Sequence, residues 1–245
     1  MQAARVLLVE DDPAMVRFVE LAVDDLGIAL QACTTVAEAI AALRVQPAHL
    51  IVTDLMLPGA PGTVLLQRLR QEAALLGNAR VVVCSAGINA PMKAELAGLG
   101  VWRQLHKPVA VETLRTCVRE GLAPEAAPAP QALKTTGGDA DEAAAVLRYF
   151  AGNRALFDMY RGACLRQFPV DLGDGDKAFE VRDAVALRRL AHSLRTVLLS
   201  LGLTEASACA KRLEQAALHA DWNGVAEEWP GLRAVLAAIC AVCAV

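Results

Sequence analysis

Up to about residue 122 the chain alternates short apolar runs with longer stretches in which apolar positions recur at helical spacing. The short runs Val6–Val9, Ile28–Gln31, Leu50–Thr53 and Val81–Cys84, with a weaker one at Trp102–Leu105, predict strands. The stretches Pro13–Leu26, Val36–Arg44, Thr63–Ala74, Pro91–Leu99 and Val111–Gly121 predict helices. Leu7-Leu8-Val9 and Val81-Val82-Val83 are continuously apolar, as strands buried on both faces must be. Strict β–α alternation predicts an α/β doubly wound fold, a five-stranded parallel sheet with helices on both faces.

Beyond residue 140 no strand pattern persists. Asp141–Ala151, Asn153–Phe168, Asp183–Leu201, Thr204–Ala220 and Gly231–Val245 predict helices, enough for an all-α bundle. Pro169, Gly173 and Gly175 predict a loop between Phe168 and Asp183. The two patterns are separated by a Pro/Ala-rich stretch followed by Thr135-Thr136-Gly137-Gly138. The expected organisation is therefore 1–122, a linker at 123–140 and a bundle at 141–245. A flexible linker of that length would span about 25 Å.

Composition narrows the function. Of 245 residues 55% are apolar, and the formal charge of −3 comes with no basic stripe to suit nucleic acid. No apolar run is long enough to span a membrane; Ala234–Val245 is too short and is expected to form a buried terminal helix. The chain enters its first strand without a signal-peptide pattern, which predicts a cytoplasmic location. Seven cysteines, an odd number, fit reduced thiols, and the lone Cys240-x-x-Cys243 is expected to pack a helix.

In an open parallel sheet ligands bind beyond the carboxyl ends of the strands. Those ends carry Glu10-Asp11-Asp12, Asp54, Ser85-Ala86 and Lys107-Pro108. Carboxylates brought together there call for a hard divalent cation such as Mg²⁺. Asp54 beside it could attack a phosphoryl group to form an acyl phosphate. Lys107, the Ser85 hydroxyl and the Ala86 backbone N–H are placed to stabilise the charge that develops. Taken singly, Asp11 or Asp12 before Pro13 would serve equally well as a helix N-cap.

As a set, and with the run Asp54-Leu55-Met56-Leu57-Pro58-Gly59, these residues resemble the response-regulator receiver domain over residues 4–121. The resemblance implies a flavodoxin-like fold, phosphorylation on Asp54, and Mg²⁺ held by Glu10, Asp11, Asp54 and the Met56 carbonyl. It also implies a switch role for Ser85 and a cis Lys107–Pro108 peptide. The aromatic residue usual three positions before the lysine is replaced by Gln104. A haloacid-dehalogenase-type phosphatase would want a second aspartate where Met56 stands.

On the helix Asp183–Leu201, at roughly 100° per residue, Leu187, Leu190, Ala191, Leu194, Val197, Leu198 and Leu201 share one arc. His192 falls nearly opposite its centre and is expected to face outward, among Arg188, Arg189, Arg195 and Thr196, with Val185 and Leu199 as an apolar collar. No second metal-ligating side chain lies one turn away, so a metal site is not expected there. Ala191-His192-Ser193-Leu194-Arg195-Thr196, followed by Leu201-Gly202-Leu203, resembles a histidine-containing phosphotransfer (HPt) domain over residues 141–245. That implies His192 as phosphoacceptor, Arg195 in the place of a lysine that stabilises the phosphoryl group, and docking of a partner receiver on Arg188, Arg189, Thr196 and Leu199. Thr196 stands where glycine is usual. His49, His106 and His219 lack such settings and read as structural.

The combined expectation is a two-component phosphorelay protein, with a sensor or hybrid histidine kinase and other receivers as partners. With no ATP-binding kinase domain, it is not an enzyme in the conventional sense. The alternative is an adaptor switched by phosphorylation whose bundle binds a partner without transfer. A DNA-reading bundle is disfavoured, because no helix-turn-helix with a basic recognition helix is visible.

Overall fold

A computed structural model describes residues 3–86, 90–123 and 142–242. The chain divides into two compact units, Met1–Gly137 and Gly138–Val245. Most of the expected linker, the Asp141 helix start and Cys243 lie outside the described residues.

The first unit runs β1 (Arg5–Val9), α1 (Pro13–Val23), β2 (Ala29–Cys33), α2 (Val36–Val45), β3 (Leu50–Thr53), α3 (Gly62–Gln71), the single turn α4 (Ala73–Leu76), β4 (Arg80–Ser85), α5 (Ala90–Gly98), β5 (Arg103–His106) and α6 (Val111–Leu122). The strands form one parallel sheet in the order β2-β1-β3-β4-β5. β1 and β3 are buried at every position, as their unbroken apolar runs require. Leu7, Leu50, Ile51, Leu65, Leu66 and Leu96 are wholly enclosed.

Register decides what meets at the rim. Val9 pairs with Thr53, so the next residue on each strand, Glu10 and Asp54, emerge side by side. Ser85 pairs with His106, which brings Lys107 to the same end of the sheet. After β3 the chain turns through Gly59, at φ +77°, and re-enters a helix at Gly62. There the backbones touch: a Cβ on residue 62 would lie 1.9 Å from the Asp54 carbonyl oxygen, so only glycine fits.

The second unit is all helical: α7 (Glu142–Phe150), α8 (Arg154–Glu180), α9 (Ala184–Ser200), α10 (Thr204–Leu218) and α11 (Trp222–Val242). Asn153 and Asp183 cap α8 and α9 by accepting from Leu156 N–H and Ala186 N–H. α9 stops at Gly202, whose φ of +80° lets Leu203 N–H reach back to Leu198 O.

Three expectations are corrected here. The segment Phe168–Asp183 is not a loop, because the 27-residue α8 runs unbroken through it as far as Glu180. Its buried stripe, Phe157, Tyr160, Cys164, Phe168, Gly175 and Ala178, keeps helical spacing across the Pro/Gly stretch, and Pro169 sits on the exposed side. Gly175 is there for contact: a Cβ would fall 2.0 Å from the indole of fully buried Trp229. Asp176 beside it accepts from Trp229 Nε1 at 3.2 Å and Arg233 Nε at 2.8 Å. Secondly, the last helix begins at Trp222, not Gly231, and carries Pro230 within it. Val225, Trp229, Leu232 and Leu236 form its buried stripe. Thirdly, the terminal apolar stretch is not buried as a whole. Leu236 is enclosed, whereas Ala234, Val235 and Ala238 are exposed.

Candidate functional site

At the carboxyl rim of the sheet, Lys107 Nζ lies 2.5 Å from Glu10 Oε2 and 2.6 Å from Asp54 Oδ2, all three side chains being buried. Asp54 Oδ1 is held by the backbone N–H groups of Leu55 at 2.5 Å and Met56 at 3.2 Å. Ser85 is buried, and its carbonyl accepts from Lys107 N–H at 3.2 Å. Ala86, Asp11 and Met56 are half-buried around the rim. The Lys107–Pro108 peptide is cis. Asp12, not Asp11, caps α1, accepting from Ala14 N–H at 2.8 Å and Met15 N–H at 3.3 Å. The structure thus joins Glu10, Asp54 and Lys107 directly and sets Ser85 beside the last.

Two carboxyls share one ammonium in this buried group, so ionising both acids leaves a surplus negative charge. Burial, with the repulsion of Asp54 and Asp12 added, pushes the Glu10 carboxyl up to about 8 against the pull of Lys107. Burial alone would lower Lys107, but the charges of Asp54 and Glu10 prevail and hold it well above the ordinary lysine range. The same dry surroundings push the neighbouring Cys84 thiol up to about 12.

A carboxyl raised in the folded state contributes most below its unfolded value, and the contribution is lost as pH rises through its folded one. For Glu10 the loss falls between about 4.5 and about 8. Glu10→Gln is therefore expected to stabilise the metal-free protein by roughly 2–4 kcal/mol at pH 8.5 and hardly at all near pH 4.5. Urea midpoints of the two proteins in EDTA at both pH values check this. A gap that does not widen with pH would refute it.

In the second unit the expectation for His192 is overturned. Its residue is only 5% exposed, with Nδ1 2.7 Å from Oε1 of Glu214 on α10. The helical arc failed as a guide because α9 is an inner helix, packed against α8, α10 and α7. A residue opposite the main apolar stripe is then still covered. Thr196 is likewise buried, at 2% exposure. Arg195 does not reach outward: its guanidinium is 2.6 Å from Glu214 Oε2, so one carboxylate holds both His192 and Arg195. Arg188 is half-buried with Nε enclosed, Arg189 is exposed, Leu199 is half-buried, and Val185 stands out as expected at 78% exposure.

Glu214 was not read from the sequence. Burial raises its carboxyl, but the hydrogen bond and charge of His192 and the charges of Arg195 and Arg188 outweigh that and lower it overall. The signal was present: Glu214 falls within the apolar arc of Ala206, Ala210, Leu213 and Ala217, where an acid needs a partner.

Oxygen donors around a surplus negative charge suit a hard cation. Among the described residues, however, no group of three His, Cys, Asp or Glu side chains is clustered as a ready metal site. Lys107 occupies the space between the two carboxylates. No helix among the described residues is long and apolar enough to cross a membrane, and the described cysteines are free thiols.

Two family models match separate stretches of the chain. Residues 6–119 match the response regulator receiver domain, and residues 159–242 match the Hpt domain. The virulence sensor protein BvgS of Bordetella pertussis is 25% identical over 201 residues, which is 78% of this chain but 16% of that protein. The chain thus spans a small part of that relative's length. Among solved structures, a sensor protein from Polaromonas sp. JS666 is 28% identical, covering 49% of this chain and 97% of its own, with a TM-score of 0.43. Chemotaxis response regulator CheY4 of Vibrio cholerae is 21% identical, covering 49% of this chain and 100% of its own, with a TM-score of 0.46. The chain therefore carries a region that matches the response regulator receiver domain, followed by one that matches the Hpt domain.

Proposed function

We propose that the protein accepts a phosphoryl group on Asp54 and carries or exchanges one on His192, between a sensor or hybrid histidine kinase and other receivers. The observation that carries this reading is Asp54 itself: a buried carboxylate at the ligand-binding rim, Oδ1 fixed by two backbone N–H groups and Oδ2 2.6 Å from Lys107 Nζ. Oδ2 attacks phosphorus, the bond from phosphorus to the donor breaks, and the donor leaves with the electron pair. The product is an aspartyl phosphate. Lys107 then meets a phosphoryl oxygen, with the Ser85 hydroxyl and Ala86 N–H as further donors. Glu10, Asp11, Asp54 and the Met56 carbonyl would hold Mg²⁺, which supplies charge neutralisation between carboxylates and phosphoryl oxygens.

At the second site Nδ1–H donates to Glu214, which leaves the lone pair on Nε2 as the nucleophile. Attack on an aspartyl phosphate forms the phosphorus–nitrogen bond and releases the carboxylate. Transfer between Asp54 and His192 of one chain and transfer through partners both fit this chemistry. The expected linker at 123–140 would let each domain serve its own partner.

The adaptor reading is favoured by one observation, the enclosure of His192 Nε2, which finds no hydrogen-bond partner among the described residues. Labelling separates the two. Wild type, Asp54→Ala and His192→Ala are exposed to labelled acetyl phosphate and to phosphorylated kinases and receivers, with and without Mg²⁺. Base-labile label lost in Asp54→Ala, together with base-stable label lost in His192→Ala, is the expected result. Label on Asp54 but never on His192 supports the adaptor. No label on Asp54 from any donor ends the proposal.

A further inference from the structure

Two buried nitrogens on α9, Arg188 Nε and His192 Nε2, find no hydrogen-bond partner among the described residues. They lie four residues apart, so their side chains are neighbours on one stripe of the helix. Arg188 Nε carries a hydrogen and needs an acceptor. His192 Nδ1 is engaged by Glu214, so Nε2 presents a lone pair. The two do not satisfy each other, and leaving such atoms buried and unpaired costs stability.

The charges around them are also out of balance. Both oxygens of Glu214 are taken, Oε1 by His192 at 2.7 Å and Oε2 by Arg195 at 2.6 Å. The charge of Arg195 is therefore met by a carboxylate. Arg188 makes no ion pair among the described residues. Yet its charge is felt in the same pocket: burial raises the Glu214 carboxyl, and His192, Arg195 and Arg188 bring it down again. One acid set against two guanidinium groups leaves one positive charge over, on the side chain one turn before His192.

We propose that Arg188, and not Arg195, is the residue that holds the phosphoryl group carried by His192: its guanidinium donates to the phosphoryl oxygens once the phosphorus–nitrogen bond has formed at Nε2. This rests on reading His192 as the phosphoacceptor, and it names the side chain that grips the product. The bond uses the lone pair of Nε2, and the oxygens that arrive with phosphorus give Arg188 Nε–H its acceptor. One event thus satisfies both nitrogens. The planar fork of an arginine suits two oxygens of one phosphoryl group. Arg195 keeps a separate task, steadying the carboxylate that orients the imidazole.

The test uses the full chain carrying Asp54→Ala, so that no label resides on that carboxylate. It is loaded by phosphoramidate, from which ammonia leaves with the electron pair, or by phosphorylated receivers. The phosphorus NMR signal lost in His192→Ala identifies the product. A guanidinium against the phosphoryl group favours its dianion. Arg188→Gln is therefore expected to raise the last ionisation of that group by about one pH unit. Arg188→Lys, which keeps the charge but not the fork, should raise it by less. Nitrogen–proton NMR of the arginine side chains gives a second readout. On phosphorylation the Arg188 Nε–H resonance should move further than that of Arg195. Matched far-UV circular dichroism controls for folding, and Arg188→Lys guards against loss of structure in the glutamine variant.

A phosphoryl titration that Arg188→Gln leaves in place overturns the proposal. So does an Arg195 resonance that moves while that of Arg188 stays. No phosphorylated His192 in any variant, from either donor, defeats the phosphoacceptor reading and the proposal with it. That result is distinct from a phosphohistidine that forms but ignores Arg188, which defeats the proposal alone.

Discussion

Lys107→Ala is expected to destabilise the receiver unit by about 3 kcal/mol at pH 8 in metal-free buffer, and to abolish phosphorylation of Asp54. The ammonium is the shared partner of Glu10 and Asp54, 2.5 Å and 2.6 Å away. Its removal leaves two neighbouring carboxylates with no counter-charge in a dry site. The cost follows pH in a definite direction. Without Lys107 the Glu10 carboxyl, already raised by burial, loses the charge that pulls it down, so the deficit shrinks as pH falls and protons replace the lost cation. Millimolar Mg²⁺ should restore part of the stability without restoring phosphorylation. Urea unfolding at pH 5 and pH 8, with EDTA or Mg²⁺, measures both effects. A deficit below about 1 kcal/mol at pH 8 would mean that Lys107 is not the charge that holds the rim together.

The largest effect in the second unit is expected where α8 meets α11. Trp229→Ala removes a fully buried indole and its hydrogen bond to Asp176, at a cost of about 3–5 kcal/mol. Gly175→Ala should cost about 2 kcal/mol, although alanine is the better helix former, because its Cβ would stand 2.0 Å from Trp229 Cη2. The two changes are not independent. With the indole gone the methyl group meets no obstacle, so Gly175→Ala in the Trp229→Ala background should be neutral or slightly stabilising. A double-mutant cycle by denaturant unfolding gives the coupling, and additive costs would rule out the contact.

The first unit was legible because its signals are local and agree. Continuous apolar runs such as Val81–Val83 can only be inner strands, and the polar residues that end them must gather at one rim. Glu10, Asp54 and Lys107 followed from chain order alone. What order could not show was that the lysine sits between the carboxylates, or that Asp12 rather than Asp11 caps α1. The second unit was harder because its meaning lies between helices. Pro169, Gly173 and Gly175 carry loop chemistry in isolation, yet Gly175 is a seat for an indole 54 residues away in sequence. His192 sits opposite the apolar stripe of its own helix, and its partner Glu214 comes from the neighbour α10. A wheel drawn for one helix has no knowledge of the next. Glu214 could have been caught by asking what a buried acid on α10 was facing.

The pairing of Val9 with Thr53 has a consequence for which changes this protein could tolerate over evolutionary time. One residue inserted within β1 would leave its run of valines and leucines almost as oily as before, and a sheet could still assemble. Yet the acid now at position 10 would slide past Asp54, and its side chain would swing to the other face of the sheet. Length changes are therefore admissible in the surface turns that follow α1 to α3, and inside the inner strands they would leave a well-folded but inert molecule.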